Sequence, residues 1–164
     1  MPKITPFLWF DDQAEQAVEF YTSVFPNSRV TDVARHGEGG PGPAGSVMTI
    51  RFELDGQEFV ALNGGPDHYG FDESISFVID CATQADVDRY WEALGSGGGA
   101  EIACGWIRDR FGLRWQVVPA ELFTLLGDPD PGRAQRAMQA MLAMTKLDVE
   151  AMRRAADGAG AEPV

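Results

Sequence analysis

One pattern constrains this chain more than any other: a strand, a helix and three further strands occur in that order, and then the order begins again. Ile4 to Phe10 is an apolar run of strand length carrying Phe7, Trp9 and Phe10. Asp12 is placed to cap a helix, with Glu15 completing a capping box, and Ala14, Ala17, Val18, Tyr21 and Phe25 fall at helical spacing before Pro26 ends it. Val30 to Arg35 reads as a second strand, and Gly37 to Pro43 as a loop. From Val47 to Leu54 apolar residues alternate, Asp55-Gly56 is a hairpin turn, and Gln57 to Asn63 returns.

The second round opens after Gly64-Gly65-Pro66. Ser74 to Cys81 alternates, Thr83 caps a helix whose Val87, Tyr90, Trp91 and Leu94 share a face, and Gly95 stops it. Past the Gly97-Gly98-Gly99 loop, Cys104 to Pro119 reads as a short strand, a turn ending at Gly112, and a longer strand. In that last strand Leu113, Trp115 and Val117 alternate with Arg114, Gln116 and Val118, which puts the large apolar groups on one face.

The remainder differs. Leu122 to Leu126 reads as a short helix, and Pro131 begins another with Ala134, Met138, Met141 and Leu142 on its apolar face. A last helix runs from about Asp148 to Ala156. The expected layout is α+β: two tandem βαβββ modules, at about 4–63 and 74–119, with C-terminal helices at about 120–157, all within one domain spanning 1–157, and a frayed tail at 158–164. A chain of 164 residues buries a sizeable core without disulfides or a structural metal.

Charge narrows the partners. Thirteen basic against twenty-five acidic side chains give a net charge of −12, which repels phosphate backbones and anionic membranes, so neither nucleic acid nor membrane is expected. Met1 to Pro6 shows no charged region followed by an apolar run, and no stretch approaches the ~20 apolar residues a bilayer requires, so the expected place is the cytoplasm. Cys81 and Cys104 match no zinc spacing and read as reduced thiols. His36 and His68 read as loop residues, and Asp67-His68 lies between the modules.

Several strings resemble one family: Ile4 to Asp11, Ala17-Val18-Glu19-Phe20-Tyr21, Phe59 to Pro66, Ile75-Ser76-Phe77, Cys104-Gly105-Trp106, Trp115 to Pro119 and Met138 to Lys146. Together they resemble the PhnB-like family, often labelled 3-demethylubiquinone 3-methyltransferase-like, of the vicinal oxygen chelate (glyoxalase, bleomycin resistance, extradiol dioxygenase) superfamily. The resemblance implies that each module curls into a half-barrel, that the two form a cup, and that the protein is a homodimer. It also implies metal-ligand positions, here Thr5, Asn63, Ser74 and Gln116. Hydroxyls and neutral amides are poor donors for zinc, nickel, manganese or iron, so no metal and no other cofactor is expected.

With Met48, Ile50, Phe52, Ile75, Phe77 and Ile79 on the helix-covered face, alternation turns Thr5, Phe7, Trp9, Thr49, Arg51, Glu53, Phe59, Ala61, Asn63, Ser74, Ser76, Arg114 and Gln116 toward the cup. Cys104 and Trp106 complete the candidate ligand-binding set; Cys104 lacks a neighbouring base and reads as a packed thiol rather than a nucleophile. Aromatic walls with a few polar groups suit a small molecule. The expected function is metal-independent binding of a small ligand, the alternative being an enzyme that orients a carbonyl or oxyanion through Arg51, Ser74 and Gln116. The Gly-rich runs do not sit between a strand and a helix start, so methyl transfer from S-adenosylmethionine draws no support.

Overall fold

The computed structural model describes residues 3–66 and 69–158. Asp67-His68 and the tail from residue 159 onward therefore lie outside the described residues. The chain divides into two compact units, Met1–Gly70 and Phe71–Val164.

The first unit contains β1 (Phe7–Phe10), α1 (Ala14–Val24), β2 (Arg29–Arg35), β3 (Val47–Leu54) and β4 (Gln57–Asn63). Its four-stranded sheet has the order β1-β4-β3-β2; β1 runs parallel to β4 and the other pairs are antiparallel. The apolar stripe of α1 is buried as its spacing requires, with Ala14, Ala17 and Tyr21 at 0 % exposure. Tyr21 stacks on Phe52, and Phe52 on Phe59, so these rings fix which face of β3 and β4 meets the helix.

The second unit repeats that topology with β5 (Phe77–Cys81), α2 (Gln84–Gly95), β6 (Ala100–Glu101), β7 (Trp106–Arg108) and β8 (Arg114–Pro119). The order is β5-β8-β7-β6, with β5 parallel to β8. Thr83 caps α2 through its side chain, and Asp86 closes the reciprocal capping box. Val87, Tyr90, Trp91 and Leu94 are buried over Cys81, Ile107, Leu113, Trp115 and Val117 on the apolar side of this sheet.

Three helices follow: α3 (Glu121–Leu126), α4 (Pro131–Leu142) and α5 (Val149–Ala156). Val118, Leu122, Leu125, Ala137, Leu147, Met152 and Ala156 form their core. The buried line of α4 runs through Ala137, with Ala140 and Met141 partly buried, whereas Met138 and Leu142 are exposed at 40 % and 60 %. The expected face is thus corrected by a rotation, because small alanines let α4 approach its neighbours closely while the longer side chains stay outside. The α4–α5 connection is tied down by main-chain bonds: the Cys104 amide donates to Met144 O at 2.9 Å and the Gly105 amide to Thr145 O at 2.8 Å.

Three further expectations are corrected. Helix α1 begins at Ala14 with no cap from its own chain start; Asp12 does not serve, and Asn63 supplies the acceptor instead. Ser74 and Ile75 are not in a strand, because the Asp72 carboxylate accepts from both the amide and the hydroxyl of Ser74 and closes a turn before β5. Phe59, Ala61 and Asn63 face α1 rather than the opposite side, since the two-residue Asp55-Gly56 turn pairs Leu54 with Gln57 and hence Phe52 with Phe59.

Candidate functional site

A cavity of about 650 Å³ opens at one end of the sheet of the first unit. It gathers the end of β1 and the start of α1 (Trp9, Asp11, Asp12, Glu15), the end of β2 (Arg35, His36), the following loop (Pro41, Gly42, Pro43, Ser46), the start of β3 (Val47, Met48) and the end of β4 (Leu62 to Gly65). A parallel β1–β4 pair brings both strand ends to the same edge, and the β2–β3 connection returns there because those strands are antiparallel.

Its walls are held in place from within the unit. The Trp9 indole N–H donates to Gly65 O at 3.2 Å, and the ring meets Tyr69 edge-on at 5.3 Å between centroids. Gly64 lies so close to that ring that a Cβ there would fall 2.2 Å from Trp9 Cε2. Across the cavity the His36 imidazole lies against Gly42, where a Cβ would come within 2.6 Å of it. Asn63 closes the floor: Oδ1 accepts the Ala14 amide at 2.8 Å, while Nδ2 donates to Glu15 Oε2 at 2.9 Å and to Val47 O at 3.1 Å.

Of the residues expected to bind a ligand, Trp9 and Asn63 line this cavity. Thr5 precedes β1 half-buried, and Phe7 sits on the same face of β1 as Trp9, exposed at 58 %. Arg51 is engaged with Glu58 at 2.7 Å, and Phe59 is in the core against Phe52. The cavity adds Asp11, Asp12, Glu15, Arg35, His36 and the loop glycine and prolines, none of which belonged to the expected set. Their signal was indirect: Asp12 and Glu15 looked like helix caps, and Gly37 to Pro43 looked like a mere connection.

In the second unit the candidate polar residues are committed to the chain itself. Gln116 Nε2 donates to Ser76 Oγ at 2.9 Å, and Trp106 pairs with Gln116 across the β7–β8 ladder. Arg114 clamps the segment before β5, donating to Glu73 Oε1 at 3.0 Å and to Phe71 O at 3.3 Å. The Ser74 hydroxyl, and after it the Ser74 amide, hold the Asp72 carboxyl below the usual carboxylate range. Cys104 takes a left-handed turn conformation, φ 59°, and serves as an anchor for the α4–α5 connection.

A family model described as 3-demethylubiquinone-9 3-methyltransferase matches residues 2–118. The chain belongs to this PhnB-like family. The PhnB protein from Bacillus cereus shares 33 % identity over 73 % of this chain and 100 % of its own, with a TM-score of 0.66. Protein PA1353 from Pseudomonas aeruginosa is similar at 22 % identity, covering 73 % of this chain and 98 % of its own, with a TM-score of 0.61. The fosfomycin resistance protein FosX from Listeria monocytogenes shares the fold, at 15 % identity and a TM-score of 0.50 over 70 % of this chain and 87 % of its own. The likeness to FosX is one of fold. A comparison with curated proteins finds no match. The family model ends at residue 118, so α3, α4 and α5 lie beyond it.

The divalent ion that the resemblance implies does not fit the donors present here. Aligning the two units on their helix-facing pairs, Leu8 and Phe10 against Ile79 and Cys81, sets Thr5 against Ser76 and Val60 against Gln116. The set is then two hydroxyls, an aliphatic side chain and an amide already bonded to one of those hydroxyls. Among the described residues no group of three or more His, Cys, Asp or Glu side chains is placed to hold a metal ion.

Proposed function

We propose that this PhnB-like chain is a metal-independent small-molecule-binding protein whose ligand sits in the cavity at the end of the first unit's sheet. The observation that carries the reading is the cavity itself: its volume suits a small organic molecule, and its rigid indole wall is ringed by carboxylates, a guanidinium and an imidazole. Apolar Val47, Met48 and Leu62 supply area for binding, and the polar groups around them supply orientation. In the second unit Arg114, Ser76 and Gln116 are engaged with their own chain.

Methyl transfer is not part of the proposal. Each sheet has one parallel pair, and the Gly-rich runs lie in the β2–β3 connection and after α2, away from any helix N-terminus where backbone amides cradle a nucleotide donor.

A ligand-observed fluorine NMR screen of a fragment library tests the reading. Compounds that bind the wild-type protein should lose about tenfold or more in affinity on Trp9→Ala, and comparably on Met48→Ala, which leaves the Trp9 clamp untouched. Undiminished binding by both variants, each verified as folded by its urea midpoint, would place the ligand elsewhere.

A further inference from the structure

Taking the proposed cavity as the ligand site, we infer that it selects a small organic cation, an amine or quaternary ammonium carried on an apolar body. Three carboxylates, Asp11, Asp12 and Glu15, line it against one guanidinium, Arg35, and one imidazole, His36. The carboxylates are not neutralised locally: among the described residues no ion pair involves any of them. Arg35 is turned to the loop instead, its Nη1 donating to Gly45 O at 2.9 Å.

The start of α1 would ordinarily favour an anion through its free amides and dipole. That attraction is already answered, because Asn63 Oδ1 takes the Ala14 amide and Glu15 stands in the first turn. An incoming phosphate or carboxylate would meet the carboxylates at a helix end whose first amide is occupied. A cation meets the opposite situation, with the Trp9 ring as a wall it can lie against. The indole N–H is engaged with Gly65 O and the ring is backed by Gly64, so that wall is set before any ligand arrives.

Three probes of similar size separate the possibilities: benzyltrimethylammonium, benzyl alcohol and benzoate, each titrated into ¹⁵N-labelled protein at low ionic strength. The inference requires benzyltrimethylammonium to shift the Trp9 indole and the Gly64 and Gly65 amides, and to bind about tenfold tighter than benzoate. It also requires Asp11→Asn with Asp12→Asn to reduce that preference by about threefold or more, whereas Glu38→Gln, outside the lining, leaves it unchanged. Equal or tighter binding of benzoate at the same resonances overturns the cation preference and leaves the cavity reading standing. If none of the three probes moves those resonances, the cavity reading falls, and this inference with it.

Discussion

Asn63 accepts the amide of Ala14 at 2.8 Å, so the last residue of β4 caps the first residue of α1. That bond joins the two elements that form the cavity floor, and the Nδ2 bonds to Glu15 and Val47 O extend it to β3. Asn63→Ala removes all of them and is expected to cost about 1–2 kcal/mol. Urea denaturation should show a lower midpoint with an unchanged slope; an unchanged midpoint would mean the cap carries nothing.

Asp109 is a buried carboxylate, 1 % exposed, in the turn between β7 and β8. It accepts from the amides of Phe111 and Leu113 at 2.8 and 3.1 Å and from the Trp115 indole at 2.9 Å. Asp109→Ala orphans all these donors and is expected to destabilise the protein by about 3 kcal/mol or more. In a double-mutant cycle, Trp115→Phe in the Asp109→Ala background should cost less than it does alone; strictly additive losses would contradict the bond.

A methyl group added at Gly64 would fall within the space the Trp9 indole fills. Gly64→Ala must displace the indole, costing about 1–3 kcal/mol and altering the cavity wall. Its near-ultraviolet circular dichroism should differ from wild type while the far-ultraviolet spectrum does not, and a superimposable near-ultraviolet spectrum would contradict the close contact.

The two thiols should differ in reactivity. Burial, and after it the nearby Asp86 carboxylate, push the Cys81 thiol from 9.0 up to about 11, whereas Cys104 is half-buried in its turn. Iodoacetamide at pH 8 should label Cys104 and spare Cys81 in mass-spectrometric mapping. The raised value also has a sign: the folded state holds this proton more tightly than the unfolded state. Its contribution to stability is therefore full below pH 9 and declines as the pH rises toward about 11. Equal labelling of the two thiols at pH 8 would contradict the burial.

Much of this architecture was legible in the residues. The βαβββ repeat, the apolar stripe of α1, the Thr83 cap and the alternation of Leu113, Trp115 and Val117 all reflect local spacing, and local spacing survives in the fold. One failure required a comparison between strands. The face of β4 follows from the pairing arithmetic of the Asp55-Gly56 turn, which sets Phe59 beside Phe52, and that arithmetic was present in the sequence. The cavity was less accessible, because Asp11, Asp12, Glu15, His36 and Gly42 belong to separate segments that meet only through the parallel β1–β4 pair and the returning β2–β3 loop. Gln116 and Ser76 were both read toward the cup, but the bond between that amide and that hydroxyl is a tertiary fact no periodicity reports.

Metal-independent binding in the first unit's cavity is the central claim. Amide chemical-shift mapping on chelator-dialysed protein, with a compound taken from the fluorine screen, tests it most directly. The account predicts saturable shifts centred on the Trp9 indole, Ser46, Gly64 and Gly65 with no metal added. Shifts that appear only after nickel, zinc or manganese is restored, or that centre on Ser76, Trp106 and Gln116 instead, would contradict it.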